Sequence, residues 1–232
     1  GNELRCKVVG EGGNLGLTQL GRIEYAGAGG RINTDFIDNS AGVDCSDHEV
    51  NIKILLNQVL RAGELNVTDR NKLLAEMTGE VAKLVLRDNY LQSQTISMME
   101  TLTGARLGAK QHFISVLESE GILDRDLEQL PHDDELNRRR VSGLGLTRPE
   151  LSVLLSYSKI MLYRKLLDSD VPEDPWLSGE LQRYFPVPLQ ERYGKYMDGH
   201  RLKREIIATQ VTNSLVNRMG ASFATRMHDD TG

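Results

Sequence analysis

From Asp47 onward the chain is written almost entirely in helical periods, and this pattern bounds what it can fold into. Val50, Ile54, Leu55 and Val59 recur at helical spacing and give one apolar face. The same reading places helices at about 47–62, 69–78, 80–103, 105–120, 133–141, 148–168, 177–184 and 200–227. Glycines punctuate them: Gly63, Gly104 and Gly121 each follow a candidate helix. Thr147-Arg148-Pro149-Glu150 is a capping box with proline in the first turn, where its missing N–H is harmless. Pro172, Pro175, Pro186 and Pro188 break the chain into short helices and turns. The polar segment 121–146 reads as a flexible connection, and no repeat or low-complexity linker is present.

The first 45 or so residues read differently. Arg5 to Val9, closing on the β-branched pair Val8-Val9, reads as a buried strand that ends in a glycine-rich loop. Leu17 to Ala28 reads as a helix stopped by Gly27, Gly29 and Gly30, and Arg31 to Thr34 as a second short strand. One or two strands do not make a stable sheet, which needs three or more and a packed face. This part is therefore expected to be the tail of a larger α/β domain, and the chain a piece of a longer protein. The fold class expected is mainly α, with a small α/β remnant at the N-terminus followed by a helical domain.

Bulk properties exclude several classes. At 232 residues and a formal charge of −5, the chain lacks the basic surface that general nucleic-acid binding needs. Its one strong basic cluster, Arg138-Arg139-Arg140, lies beside Asp133, Asp134 and Glu135 and reads as a solvated helical face. No apolar run approaches the ~18 residues of a membrane span, so no membrane partner is expected. The two cysteines, Cys6 and Cys45, have no metal-ligand spacing, so no metal is expected. A reduced, cytoplasmic protein is the simple reading, in which the Asn66-Val67-Thr68 sequon carries no meaning.

Two loops are candidates for chemistry. Gly10-Glu11-Gly12-Gly13-Asn14-Leu15-Gly16 follows a strand, where open α/β sheets bind ligands. Its third glycine falls one place too late for the dinucleotide fingerprint, so a tight turn explains it about as well. The second is Asp35 to Val50, a turn-rich segment that runs into a helix. Ser46 and Glu49 fit a capping box, and such a helix start offers N–H groups to a carboxylate or phosphate. Asn39 carries an amide that can hold a carboxamide or an amino-acid head, or can simply form a turn. His48 reads as a satisfied surface or interface histidine, and Tyr90, Met98, Met99 and His112 as packing residues.

The wording of both loops is specific. Asn39-Ser40-Ala41-Gly42-Val43, with Ser46 three residues on, resembles the Asn-Ala-Gly-Gly-Val…Ser element of glutamate dehydrogenases. Val8-Val9-Gly10-Glu11-Gly12-Gly13-Asn14-Leu15-Gly16-Leu17-Thr18 is similar to their Glu-Gly-Ala-Asn…Thr element, with Gly13 where Ala is commoner. With Gly29-Gly30-Arg31-Ile32-Asn33-Thr34 and Gly145-Leu146-Thr147-Arg148-Pro149-Glu150-Leu151, the full chain resembles the large bacterial NAD-specific enzymes of that family.

The resemblance implies that residues 1–62 are the C-terminal part of a Rossmann-like NAD-binding and catalytic domain, and residues 63–232 a helical C-terminal domain. It implies cofactor contacts from Gly12, Gly13, Asn14 and Asn39, and substrate contacts from Asn39, Val43 and Ser46. The expected reaction is oxidative deamination of L-glutamate to 2-oxoglutarate and ammonia with NAD⁺, by a full-length enzyme that is a homo-oligomer. The family's catalytic lysine sits in a Lys-Gly-Gly segment that this sequence lacks, so no catalytic residue is assigned. The rival expectation is a helical interaction or assembly module without catalysis of its own. On the first reading the isolated chain should form no NADH from glutamate and NAD⁺ above background. Turnover by the purified 232-residue chain would refute it.

Overall fold

The computed structural model describes residues 1–102 and 104–231, including the side chains of all of these except His228, Asp230 and Thr231. Among the described residues the architecture is mainly α. In chain order the helices are α1 (Gln19–Gly27), α2 (Asp35–Asp38), α3 (Ser40–Arg61), α4 (Val67–Thr101), α5 (Leu107–Ser119) and α6 (Asp133–Val141). They continue with α7 (Arg148–Leu167), α8 (Ser178–Tyr184), α9 (Val187–Met197), α10 (Lys203–Met219) and α11 (Phe223–Thr231). Short 3-10 turns at Val171–Glu173 and Pro175–Leu177 take up Pro172 and Pro175.

The strands expected at the N-terminus reduce to one isolated parallel bridge between Val8 and Arg31. It is closed by the Val9 N–H on Arg31 O at 2.9 Å and the Arg31 N–H on Lys7 O at 3.0 Å. The segment Arg5 to Val9 is not buried: Val8 is 65% exposed. The reason is physical, because no third strand among the described residues flanks the pair and a two-stranded ladder has no face to bury. The following helix is clearer. The Thr18 hydroxyl accepts the Gly21 N–H at 3.1 Å and caps α1. At its other end Gly29 takes a φ of +93°. Gly30 lies so close to the buried Tyr25 ring that a Cβ there would stand 2.3 Å from it.

Helix α3 starts at Ser40, one turn and more before the expected position. The Ser46–Glu49 capping box therefore does not form. Ser46 lies inside the helix with its hydroxyl turned back to the Gly42 carbonyl at 3.5 Å, and Glu49 pairs with Lys53. Ala41 favours the helix, and Ser40 and Gly42 are tolerated in its first turn, so the helix extends back to Asn39. The two expected helices 69–78 and 80–103 are one, α4, and Gly79 sits in its interior with open space around it. Asn66 begins it: its side-chain oxygen accepts the Asp69 N–H at 2.9 Å. The expected helix 200–227 is two, parted at Gly220. Helix α9 was not expected; Pro188 lies in its first turn, a position proline favours.

The chain divides into two compact units: Gly1–Ser40 with Leu91–Leu162 and Ser214–Gly232, and Ala41–Tyr90 with Tyr163–Asn213. The first has a core around Ile96, Phe113, Ile114, Leu117, Leu136 and Leu154. The segment 121–146, expected as a flexible connection, belongs to this core through Leu123, Leu130, Leu136 and Leu146. The second unit packs Leu55, Leu56, Met77, Phe185, Leu189 and Ile207 together.

Charge is built into the first unit as well. Arg125 is 6% exposed and binds both oxygens of Glu118 and one of Asp133. In Arg138-Arg139-Arg140 only the outer two are solvated. Arg139 turns inward and donates to both oxygens of Glu150 at 3.0 and 2.9 Å. Glu150 is 1% exposed and also accepts the Thr147 N–H at 2.6 Å and the Thr147 hydroxyl at 2.8 Å, so the capping box at α7 is realised through the glutamate. Arg139→Ala should cost about 3 kcal/mol or more, because it strands a buried carboxylate. Glu150→Gln on the Arg139→Ala background should recover part of that loss. Urea unfolding of the three variants checks both expectations.

Candidate functional site

The loop 10–16 is held from the helical side, not by the strand that leads into it. Asp35 and Asp38, on the single turn of α2, reach across to it. The Asp35 carboxylate accepts the Leu15 N–H at 2.9 Å, and that of Asp38 accepts the Glu11 N–H at 2.9 Å. Glu11, in the loop itself, is 6% exposed. It accepts the Leu17 N–H at 3.0 Å and a bidentate guanidinium from Arg22 of α1 at 2.7 and 2.8 Å. Arg22 in turn stands 3.4 Å from Asp35. The loop is thus a ring of charge-assisted bonds, which are the stronger kind.

These contacts set the ionisation of the ring. The Arg22 guanidinium holds the Glu11 carboxyl below its ordinary value, against the cost of burial and with help from the Leu17 N–H. Burial works against the Asp35 carboxylate, but the Leu15 N–H, Arg22 and the Phe36 N–H outweigh it and hold that group low too. Glu11 raises Arg22 in return.

Held in this way, the loop presents Gly12, Gly13 and Asn14 outward, all exposed. Asn14 and Leu15 take φ of 59° and 55°. A Cβ built on Gly12 or Gly13 would meet nothing within 4 Å, so the backbone there is open to approach. Asn39 joins α2 to α3 at φ −98° and is half-buried, and its N–H bonds the Asp35 carbonyl at 2.8 Å. The loop of Asn14 and the junction at Asn39 are therefore both tied to Asp35. The α2 turn is anchored further through Asn33, which donates to Asp38 at 2.8 Å and accepts from Arg148 at 3.0 Å.

The other two expected site residues lie in the first turns of α3. Val43 is 72% exposed, and Ser46 is exposed on the same helix. Neither is a cap or a packing residue.

His48 departs from expectation. It is 2% exposed, stacked on Tyr184 at 4.4 Å, and its Nδ1 has no hydrogen-bond partner. Burial pushes its imidazole below the ordinary value, and burial together with Asp47 pushes the Tyr184 phenol well above its own. The Tyr184 hydroxyl donates to Asp47 at 2.7 Å and accepts from Asn51 at 2.8 Å. Asp44, His48 and Asp88 bring one ligand atom each within 4.8 Å of one another, and no metal is assigned to them. Tyr90 and Met98 are exposed and only Met99 of the expected packing set is buried, while His112 pairs at the surface with Asp229 at 3.0 Å. Sequence reasoning passed over Glu11, Arg22, Asp35 and Asp38. The available signal was a carboxylate inside a glycine-rich loop, which once folded needs a cation.

Two family models match the chain. The bacterial NAD-glutamate dehydrogenase catalytic domain covers residues 1–99, and the glutamate dehydrogenase C-terminal model covers residues 143–232. Between them the two models match most of the chain, and both describe glutamate dehydrogenase domains. It is 56% identical to the NAD-specific glutamate dehydrogenase of Halomonas elongata and 54% to that of Pseudomonas aeruginosa, both over 232 residues. With that of Mycobacterium tuberculosis it shares 45% over 231 residues. All of this chain is covered in each case, and it spans about 14% of the length of these relatives. Among the described residues no helix is long and apolar enough to cross a membrane.

The charge ring makes loop 10–16 acid-sensitive. Glu11 and Asp35 have folded values below their unfolded ones, about 4.3 and 3.9. Their contribution is therefore complete above those values and is lost as pH falls through the lowered folded ones. Arg22→Met should move the release of the loop to higher pH. NMR amide shifts of Gly12, Gly13 and Asn14 followed from neutral to acid pH measure it.

Proposed function

We propose that this chain supplies part of the cofactor and substrate sites of a cytoplasmic NAD-dependent glutamate dehydrogenase. The enzyme deaminates L-glutamate oxidatively to 2-oxoglutarate and ammonia. In this reading residues 1–62 end a Rossmann-like nicotinamide domain and residues 63–232 are the helical C-terminal domain of a homo-oligomeric enzyme. What supports it most is one juxtaposition beside the names of the relatives. Asp35 ties the Asn14 loop through its carboxylate and the Asn39 junction through its carbonyl, so two separated elements share one anchor.

NAD, when bound, supplies the hydride acceptor. The chain's own residues do the holding. Gly12 and Gly13 leave their backbone open to a close approach, and the exposed Asn14 amide offers two donors and an acceptor to a ribose or carboxamide. Asn39, fixed by its bond to Asp35, is suited to orient rather than merely bind. Val43 and Ser46 would line the side-chain end of glutamate: Val43 against its methylenes, Ser46 by a hydroxyl hydrogen bond to the γ-carboxylate. Catalytic acid–base groups are assigned to none of these residues.

The helix position of Ser46 sharpens the test. Because Ser46 is not a cap, Ser46→Ala in the full-length enzyme should raise KM for glutamate about tenfold, the loss of one hydrogen bond to a charged group, and leave Tm unchanged. Asn14→Ala should raise KM for NAD⁺, and Asn39→Ala should lower kcat as well. Steady-state kinetics on the three variants with both substrates varied decides it. Unchanged glutamate kinetics in Ser46→Ala would remove Ser46 from the site.

A further inference from the structure

At the junction of α4, α5, α10 and α11, all within the first unit, lies a cavity of about 400 Å³. That is within the range of small-molecule sites. Its apolar wall is Met98, Met99, Met219 and Phe223. Its charged lining is all of one sign: Lys110, Arg106, Arg218 and Arg226 line it, and among the described residues no carboxylate does.

Lys110 is the decisive group. The residue is 4% exposed, and its ammonium has one long bond, 3.5 Å to the Met99 carbonyl. Among the described residues no carboxylate pairs with it, nor with Arg106, Arg218 or Arg226. Buried charges elsewhere in this chain are compensated: Arg22 by Glu11, Arg125 by Glu118, Glu150 by Arg139. A buried ammonium beside guanidinium groups, with no anion, is costly to keep. Burial first, and Arg106 second, push it down to about 8. Methionine suits the other half of such a site, since its flexible thioether adapts to apolar shapes.

We infer that this cavity is a binding site for an organic anion, with its apolar body against the methionines and a carboxylate or phosphate head on Lys110 and the neighbouring guanidinium groups. The inference is independent of the Asn14 and Asn39 loops and concerns a different ligand.

Titration calorimetry of the full-length enzyme tests it, with octanoate and octyl phosphate as anions and octanol and octylammonium as controls of equal chain length. At least one anion should bind, and both controls should bind tenfold more weakly or not at all. Binding should persist in saturating glutamate. Lys110→Met should weaken the anion at least tenfold, and Arg218→Gln together with Arg226→Gln at least threefold. Failure of both anions to bind, equal affinity for octanol, or displacement by glutamate would each overturn the proposal. If Lys110→Met does not fold, the arginine pair decides, because unchanged anion affinity there overturns it as well.

Discussion

Asp35 holds two pieces of the chain with two different groups. Its carboxylate takes the Leu15 N–H and faces Arg22, while its carbonyl takes the Asn39 N–H. A residue that bonds through both side chain and backbone in this way converts a one-turn helix into a clamp. Glu11 and Arg22 close the ring from the other side. Each member is worth little in water, but in a shielded setting the bonds polarise one another and an unpaired member is expensive. The loop 10–16 consequently owes its shape to charges, and the exposed backbone of Gly12 and Gly13 depends on residues that never reach that surface.

The same economy runs through the rest of the first unit. Arg125 and Arg139 are each drawn inward by carboxylates, and each anchors a polar stretch onto the apolar core. That is how 121–146, the most hydrophilic part of the chain, packs at all. In the second unit the buried polar group is aromatic rather than ionic. His48 stacks on Tyr184, and Tyr184 satisfies Asp47 and Asn51.

Much of the helical architecture was legible, because apolar period, glycine stops and the Thr147–Glu150 box all point the same way. Helix α6 was expected at 133–141 and is found at Asp133–Val141. What was not legible lies where an earlier helix start or a tertiary bond overrode the local signal. Ser46 and Glu49 look like a capping box, but Ser40 to Gly42 had already started the helix. Arg5 to Val9 looks like a core strand, yet burial requires neighbours the described residues do not supply. In 10–16 the glycine-rich turn was legible, but the glutamate between the glycines that fixes its path was not. The wording of Asn39 to Ser46 was informative for family and uninformative for local geometry, since the same letters fit a loop or a first helical turn.

The lone Val8–Arg31 bridge has a consequence for assembly order. Its two backbone runs leave edges that any incoming strand can extend, and Leu4 and Val8 are exposed beside them. Because loop 10–16 is already fixed by Arg22, Asp35 and Asp38, a strand that docked there would meet a finished rim rather than shape one. The bridge is then a seam that could be lengthened without disturbing the loop beside it.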